Sequence, residues 1–206
     1  MPIILVSVVP NTPHVFPKTI TLDFGDGCIG RDGKLRKGKG KIISVYTGPM
    51  FISGSKISTT FADYFVNSFK VERTHSVENT STSNKKEWTV KVADGKITST
   101  NTGNWKVWSG IKIHTQMYWN GTQYFPLDDV FQITGNANGA ASGGNSWSAS
   151  IGDPLIKKFT CHWIVKCTVR IARNDNKAIL DYGDGACDNK AIITINGFSK
   201  NITLRW

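Results

Sequence analysis

Apolar and polar residues alternate with a period of two along much of this chain. Trp105, Val107, Ile111, Ile113, Met117 and Trp119 fall on one side of a run whose other side carries Lys106, Lys112, His114 and Gln116. Trp88, Val90 and Val92 alternate with Thr89 and Lys91, and Trp147, Ala149 and Ile151 alternate with serines. Ile202, Leu204 and Trp206 repeat the pattern at the end. Successive side chains of a strand point to opposite faces, so this alternation predicts strands with one buried face. No segment repeats apolar residues at helical spacing over three turns. Between the runs lie Asp94-Gly95, Asn120-Gly121, Ser142-Gly143-Gly144-Asn145 and Asn196-Gly197, which carry the chemistry of tight hairpin turns. The pattern predicts an all-β protein of roughly a dozen strands. The expected architecture is an antiparallel meander forming a β-sandwich, with a closed or flattened β-barrel as the alternative. Residues 1–17 read as an N-terminal arm whose apolar segment Ile3 to Val9 is a strand, and residues 18–206 as a single all-β domain.

One motif occurs twice. Ile20-Thr21-Leu22-Asp23-Phe24-Gly25-Asp26-Gly27-Cys28 and Ala178-Ile179-Leu180-Asp181-Tyr182-Gly183-Asp184-Gly185-Ala186-Cys187 each run from an apolar strand into an Asp-aromatic-Gly-Asp-Gly turn and then a cysteine. Of the four cysteines, Cys161 and Cys167 fall on an alternating segment from Phe159 to Ile171, which reads as one strand. Six residues of strand span about 20 Å, too far for a disulfide. Cys28–Cys187 is therefore the expected bridge, closing a loop worth on the order of 5 kcal/mol in the chain-entropy description. The competing arrangements pair Cys161 with Cys28 or Cys187, or leave every thiol reduced.

The charge of +10 favours anionic partners, whether acidic polysaccharide, nucleic acid or a membrane surface, with a solvated basic surface as the plainer account. The cations Arg31, Lys34, Arg36, Lys37, Lys39 and Lys41 are set among glycines. They predict an exposed basic hairpin able to contact an anionic ligand, acidic polysaccharide before nucleic acid. Glu78 to Lys86 reads as an exposed polar loop. Trp108 and Tyr118, with Lys106 and Lys112, form an aromatic-basic stripe that could stack on sugars or bases; burial under a second packed sheet is the favoured account.

Other chemistry is sparse. Asp23, Asp26 and Asp32, and Asp181, Asp184 and Asp188, supply hard oxygen ligands of the kind calcium takes. Their spacing fits turn formation better, and no metal or other cofactor is expected. Asp128-Asp129 would point to opposite faces of a strand, unlike a glycosidase pair. His14, His75, His114 and His162 are scattered, and no nucleophile elbow occurs. No catalytic residue is assigned. The segment Ile3 to Val9 is too short for a transmembrane helix and lacks the flanks of a signal peptide.

The strings from Phe16 to Cys28, Gly40-Lys41-Ile42-Ile43, Leu127-Asp128-Asp129-Val130-Phe131, Cys161-His162-Trp163-Ile164 and Asp181 to Asp188 resemble an uncharacterised family of Bacteroidota envelope proteins, usually predicted lipoproteins. The resemblance runs from about Phe16 to Leu204 and implies an extracytoplasmic location, at the cell surface or secreted. The family pattern uses cysteines matching Cys28, Cys161 and Cys187; Cys167 departs from it. The signal peptide and lipid-anchoring cysteine it implies do not occur here. Asp23-Phe24-Gly25-Asp26-Gly27 also resembles the motif of PKD-type surface domains. The expected role is that of a non-catalytic surface protein that binds or holds structure, toward anionic polysaccharide or other envelope proteins. Two alternatives are a filament subunit that self-associates through residues 3–9, as strand addition allows, and a glycan-active enzyme.

Overall fold

The structure, a computed structural model, describes residues 4–29, 35–37, 40–118 and 126–204. It is all-β and antiparallel. The first strands are β1 (Leu5–Val9), β2 (Lys18–Asp23), β3 (Gly27–Ile29), β4 (Leu35–Lys37), β5 (Lys41–Tyr46), β6 (Lys56–Ala62), β7 (Tyr64–Val66) and β8 (Phe69–Asn79). Three long strands follow, β9 (Glu87–Ser99), β10 (Trp105–Tyr118) and β11 (Val130–Ala141), with a 3-10 turn at Pro126–Asp128. The last are β12 (Asn145–Ile151), β13 (Leu155–Lys158), β14 (Lys166–Arg173), β15 (Asn176–Asp184), β16 (Lys190–Ile195) and β17 (Phe198–Thr203). Fifteen strands join one sheet in a meander from β1 to β17, while β3 and β4 form a separate two-stranded ribbon.

Two compact units are distinguished. One comprises Met1–Thr80, Val90–Ser109 and Gly139–Gly144, the other Ser81–Thr89, Gly110–Asn138 and Asn145–Trp206. Strands β9, β10 and β11 each contribute to both. In the first unit Tyr64 is buried and packs against Phe24 at 5.2 Å and Phe61 at 5.7 Å between ring centroids. Gly40 lets this cluster close, because a Cβ there would lie 2.6 Å from the Cα of Tyr64. In the second unit Ile133, Leu155, Cys161, Val165 and Ala191 are buried, and Trp88 meets Phe131 edge-on.

Local sequence explains most turns. Asn196 and Gly197 both take positive φ, 49° and 88°, and join β16 to β17 directly after the pair Ile195↔Phe198. That is what a two-residue hairpin of opposite-handed backbone demands. Gly143 and Gly144, also at positive φ, turn β11 into β12 through a three-residue connection that begins at Ser142. The N-terminal segment is a strand as expected, and β1 pairs with β2 from Leu5↔Asp23 to Val9↔Thr19.

Several expectations are corrected. Asp94-Gly95 does not end a strand: β9 runs through it, Asp94 takes φ 50°, and its N–H is taken up by Ser109 Oγ at 3.0 Å. Phe159 to Ile171 is not one strand. β13 stops at Lys158 and β14 starts at Lys166, with a turn closed by Cys161 N–H donating to Lys158 O at 3.1 Å and Val165 N–H to Ile156 O at 2.9 Å. Nor is the stretch from Glu78 a wholly exposed loop, because Asn79 and Ser81 are buried. Trp105, assigned to the core by its periodicity, is 37% exposed. Asn120-Gly121 lies outside the described residues.

Candidate functional site

The doubled motif makes the same turn twice. Asp23 Oδ1 accepts the Gly25 N–H at 3.0 Å, and Asp181 Oδ1 accepts the Gly183 N–H at 2.8 Å. Both glycines in each copy take positive φ: Gly25 and Gly27, Gly183 and Gly185. An aspartate that bonds its own backbone two residues on, followed by glycines in the left-handed region, is what a chain needs to leave a strand abruptly. The flanking strands correspond as well. β2 lies between β1 and β5, and β15 lies between β14 and β16.

Each copy lines a hollow at its strand end. The first, about 430 Å³, is bordered by Asp23, Asp26, Asp63 and Lys41. The second, about 540 Å³, is bordered by Asp181, Asp184, Asp188 and Lys190, with Tyr182 in its wall. Lys41 and Lys190 are each the first residue of the next strand of the main sheet, β5 after the first copy and β16 after the second. Among the described residues no group of three His, Cys, Asp or Glu side chains is arranged to hold a metal ion. Asp188 Oδ1 accepts the Lys190 N–H at 2.9 Å, so it too serves a turn. Asp32 lies outside the described residues.

Lys41 reaches Asp23 Oδ2 at 3.0 Å. The Gly25 N–H first, and then Lys41, hold the Asp23 carboxyl below its ordinary pKa. A carboxylate of this kind stabilises the fold fully above its unfolded pKa, near about 3.9, and loses that contribution as pH falls through its lower folded value. Thermal melts between about pH 5 and pH 2 are expected to fall less steeply for Asp23→Asn than for the parent. Burial holds the Tyr182 hydroxyl above its ordinary pKa. His114, expected on an exposed face, is half-buried; burial first and Lys112 second lower its pKa.

The cysteine pairing differs from the expected one. Cys161 bonds Cys187, with Cα atoms 5.7 Å apart, so the Cys28–Cys187 bridge is excluded. The reason is the β13–β14 turn. β14 pairs with β15 so that Lys166 faces Asp184, which brings the loop before β14 alongside the loop after β15. Lys158 Nζ ties the same two loops by donating to Gly185 O at 3.0 Å. Lys157 Nζ donates to Lys158 O and Cys161 O, and burial lowers its pKa. Cys28 sits in β3 opposite Arg36, and its side chain lies outside the described residues. Cys167 is a free thiol at φ 75°, where the β14–β15 register shifts.

Arg36 and Lys37 lie in β4, paired with Cys28 and Gly27. Their side chains, and all of Arg31, Lys34 and Lys39, lie outside the described residues. Lys41 is spent partly on Asp23. Trp108 does not stand free as a stacking platform: it is half-buried, and its ring lies over Gly95, where a Cβ would come within 2.8 Å of it. The Tyr118 side chain lies outside the described residues. Asp129 Oδ1 accepts from Gln116 Nε2 at 2.6 Å, an architectural use.

No known protein family, curated protein or solved structure matches the chain. The geometry therefore carries the functional argument. A disulfide within the fold points to an oxidising, extracytoplasmic environment. No helix of the described residues is long and apolar enough to cross a membrane. Sequence reasoning missed Asn79, which is 2% exposed and organises the β5–β6 loop. A single Asn in a polar stretch gives no periodic signal.

Proposed function

We propose that this chain is a non-catalytic, extracytoplasmic β protein, at the cell surface or secreted, that holds anionic polysaccharide through its basic hairpin. The observation that carries the reading is the separate β3–β4 ribbon, which places Arg36 and Lys37 on a strand outside the main ladder. The +10 chain attracts polyanions from a distance. The envelope-family resemblance and the Cys161–Cys187 bridge support the compartment. The filament alternative is less favoured, because β1 is already paired within its own sheet. A glycan-active enzyme would need converging acid and base groups. The acidic hollows instead spend Asp23, Asp181 and Asp188 on backbone turns.

Retention on a heparin column tests this. Changing Arg31, Lys34, Arg36, Lys37 and Lys39 to Gln is expected to move elution to markedly lower salt, since each lost cation removes a screened attraction. Lys41 is kept because it serves Asp23. Unchanged retention would remove the hairpin from the function.

A further inference from the structure

Opposite the basic ribbon, the first unit ends in an apolar tip. The β1–β2 loop (residues 10–17) and the β5–β6 loop (residues 47–55) leave the same end of the sheet, because Lys18 of β2 faces Tyr46 of β5 and Tyr46 faces Ile57 of β6. Phe51 is 80% exposed, with Ile52 beside it at 49%. Val9 and Val15 are exposed at the root and in the course of the neighbouring loop.

These side chains are presented by a fixed backbone. Ile52 N–H donates to Pro49 O at 2.9 Å, and Ser55 N–H to Ile52 O at 3.1 Å. Gly54 N–H donates to Asn79 O at 2.8 Å, and Asn79 N–H to Ser55 O at 2.9 Å. The buried Asn79 side chain adds a bond from Nδ2 to Met50 O at 2.9 Å. In the other loop Lys18 Nζ donates to Pro10 O and to Thr12 O, both at 2.9 Å. The fold thus spends a buried polar side chain to hold a large aromatic ring in water.

A protein groove and a lipid surface make different demands on such a loop. The tip presents Phe51 and Ile52 to solvent. The N–H groups of Ile52, Gly54 and Ser55 and the carbonyls of Pro49, Met50 and Ile52 are already bonded within the protein, so an apolar medium leaves fewer of the loop's backbone groups orphaned. Its order is already established, so insertion costs little further conformational entropy. The charge agrees. Residues 9–18 and 47–56 contain no Asp or Glu, whereas they carry His14, Lys18 and Lys56. The carboxylate that the ladder brings to this end, Glu78, lies across from Lys56. Apolar residues on two loops that carry Lys18 and Lys56 at their ends and no acid of their own fit an anionic bilayer surface.

We propose that the Phe51–Ile52 tip inserts into the interfacial layer of an anionic lipid bilayer. The test is co-sedimentation of the full chain with vesicles of phosphatidylglycerol and phosphatidylcholine, against phosphatidylcholine alone. The chain is expected to prefer the anionic vesicles. Phe51→Ser with Ile52→Ser is expected to weaken that binding at least about tenfold with an unchanged circular dichroism spectrum. Phe51→Trp is expected to retain it, because an indole suits the headgroup layer. Neutralising the basic hairpin is expected to leave the tip-dependent part in place, which separates this proposal from the polysaccharide reading. The proposal is overturned if the anionic vesicles bind no protein, or if the folded double-serine protein binds as the parent does. It is equally overturned if sedimentation velocity shows a dimer that the double substitution abolishes, since the tip would then belong to a second copy.

Discussion

Gly135→Ala is expected to bring the protein close to unfolding. Gly135 lies in β11 at φ 143°, and a Cβ there would stand 2.1 Å from Ile111 O and 2.9 Å from Lys112 Cα. Both obstacles are backbone of β10, so no side-chain rotation relieves them, and the two strands must part. The left-side φ costs about 1–3 kcal/mol for a non-glycine residue, and forcing strands apart in a packed ladder costs about 1–3 kcal/mol more. A loss of about 4 kcal/mol is a large share of a stability on the order of 5–15 kcal/mol. Urea unfolding measures it. Gly183→Ala is the matched control, since Gly183 has φ 87° but nothing within 4 Å of its Cβ position. The control loses only the conformational part. Equal midpoints for the two variants would mean that β10 and β11 do not approach so closely at Gly135.

Gly135 also shows what the sequence could not reveal. Its neighbours Ile133 and Thr134 lie in β11, and a glycine in a strand signals either a bulge or a close backbone approach. Which of these holds depends on the partner strand, and no local pattern names it. The elements themselves were legible wherever one face is buried and turn chemistry is explicit. The Asn196-Gly197 hairpin and the Gly143-Gly144 turn follow directly from residue type. Asp94-Gly95 has the same composition and a different outcome, because β9 continues past it while Asp94 takes the positive φ. The doubled Asp-aromatic-Gly-Asp-Gly string was legible as a turn. Its paired hollows, each with three aspartates and a strand-initial lysine, were not. Asp63 reaches its hollow from a different strand connection, and spacing in sequence says nothing of that.

The cysteines carry the other large effect. Changing both Cys161 and Cys187 to Ala is expected to destabilise the protein by about 3–4 kcal/mol, the chain-entropy value for partners 26 residues apart. For a chain of this size that lowers the melting temperature by about 10 °C. The earlier expectation of a bridge from Cys28 rested on reading Phe159 to Ile171 as unbroken strand. A seven-residue connection from Phe159 to Val165 has no Gly or Pro to announce it, and Trp163 and Val165 continue the alternation by chance of placement. Cys161 is 1% exposed, so alanine is the cleaner replacement than serine, which would bury a hydroxyl. The Lys158–Gly185 bond still joins the two loops after the bridge is lost, and native-like secondary structure is expected to persist at 25 °C. Reduction of the parent by dithiothreitol should reproduce the double-alanine melting curve, whereas Cys28→Ala should leave the Cys161–Cys187 peptide intact in a non-reducing map. A map that joins Cys28 to Cys187 would overturn the pairing, and with it the account of the β13–β14 turn as the element that carries Cys161 to its partner.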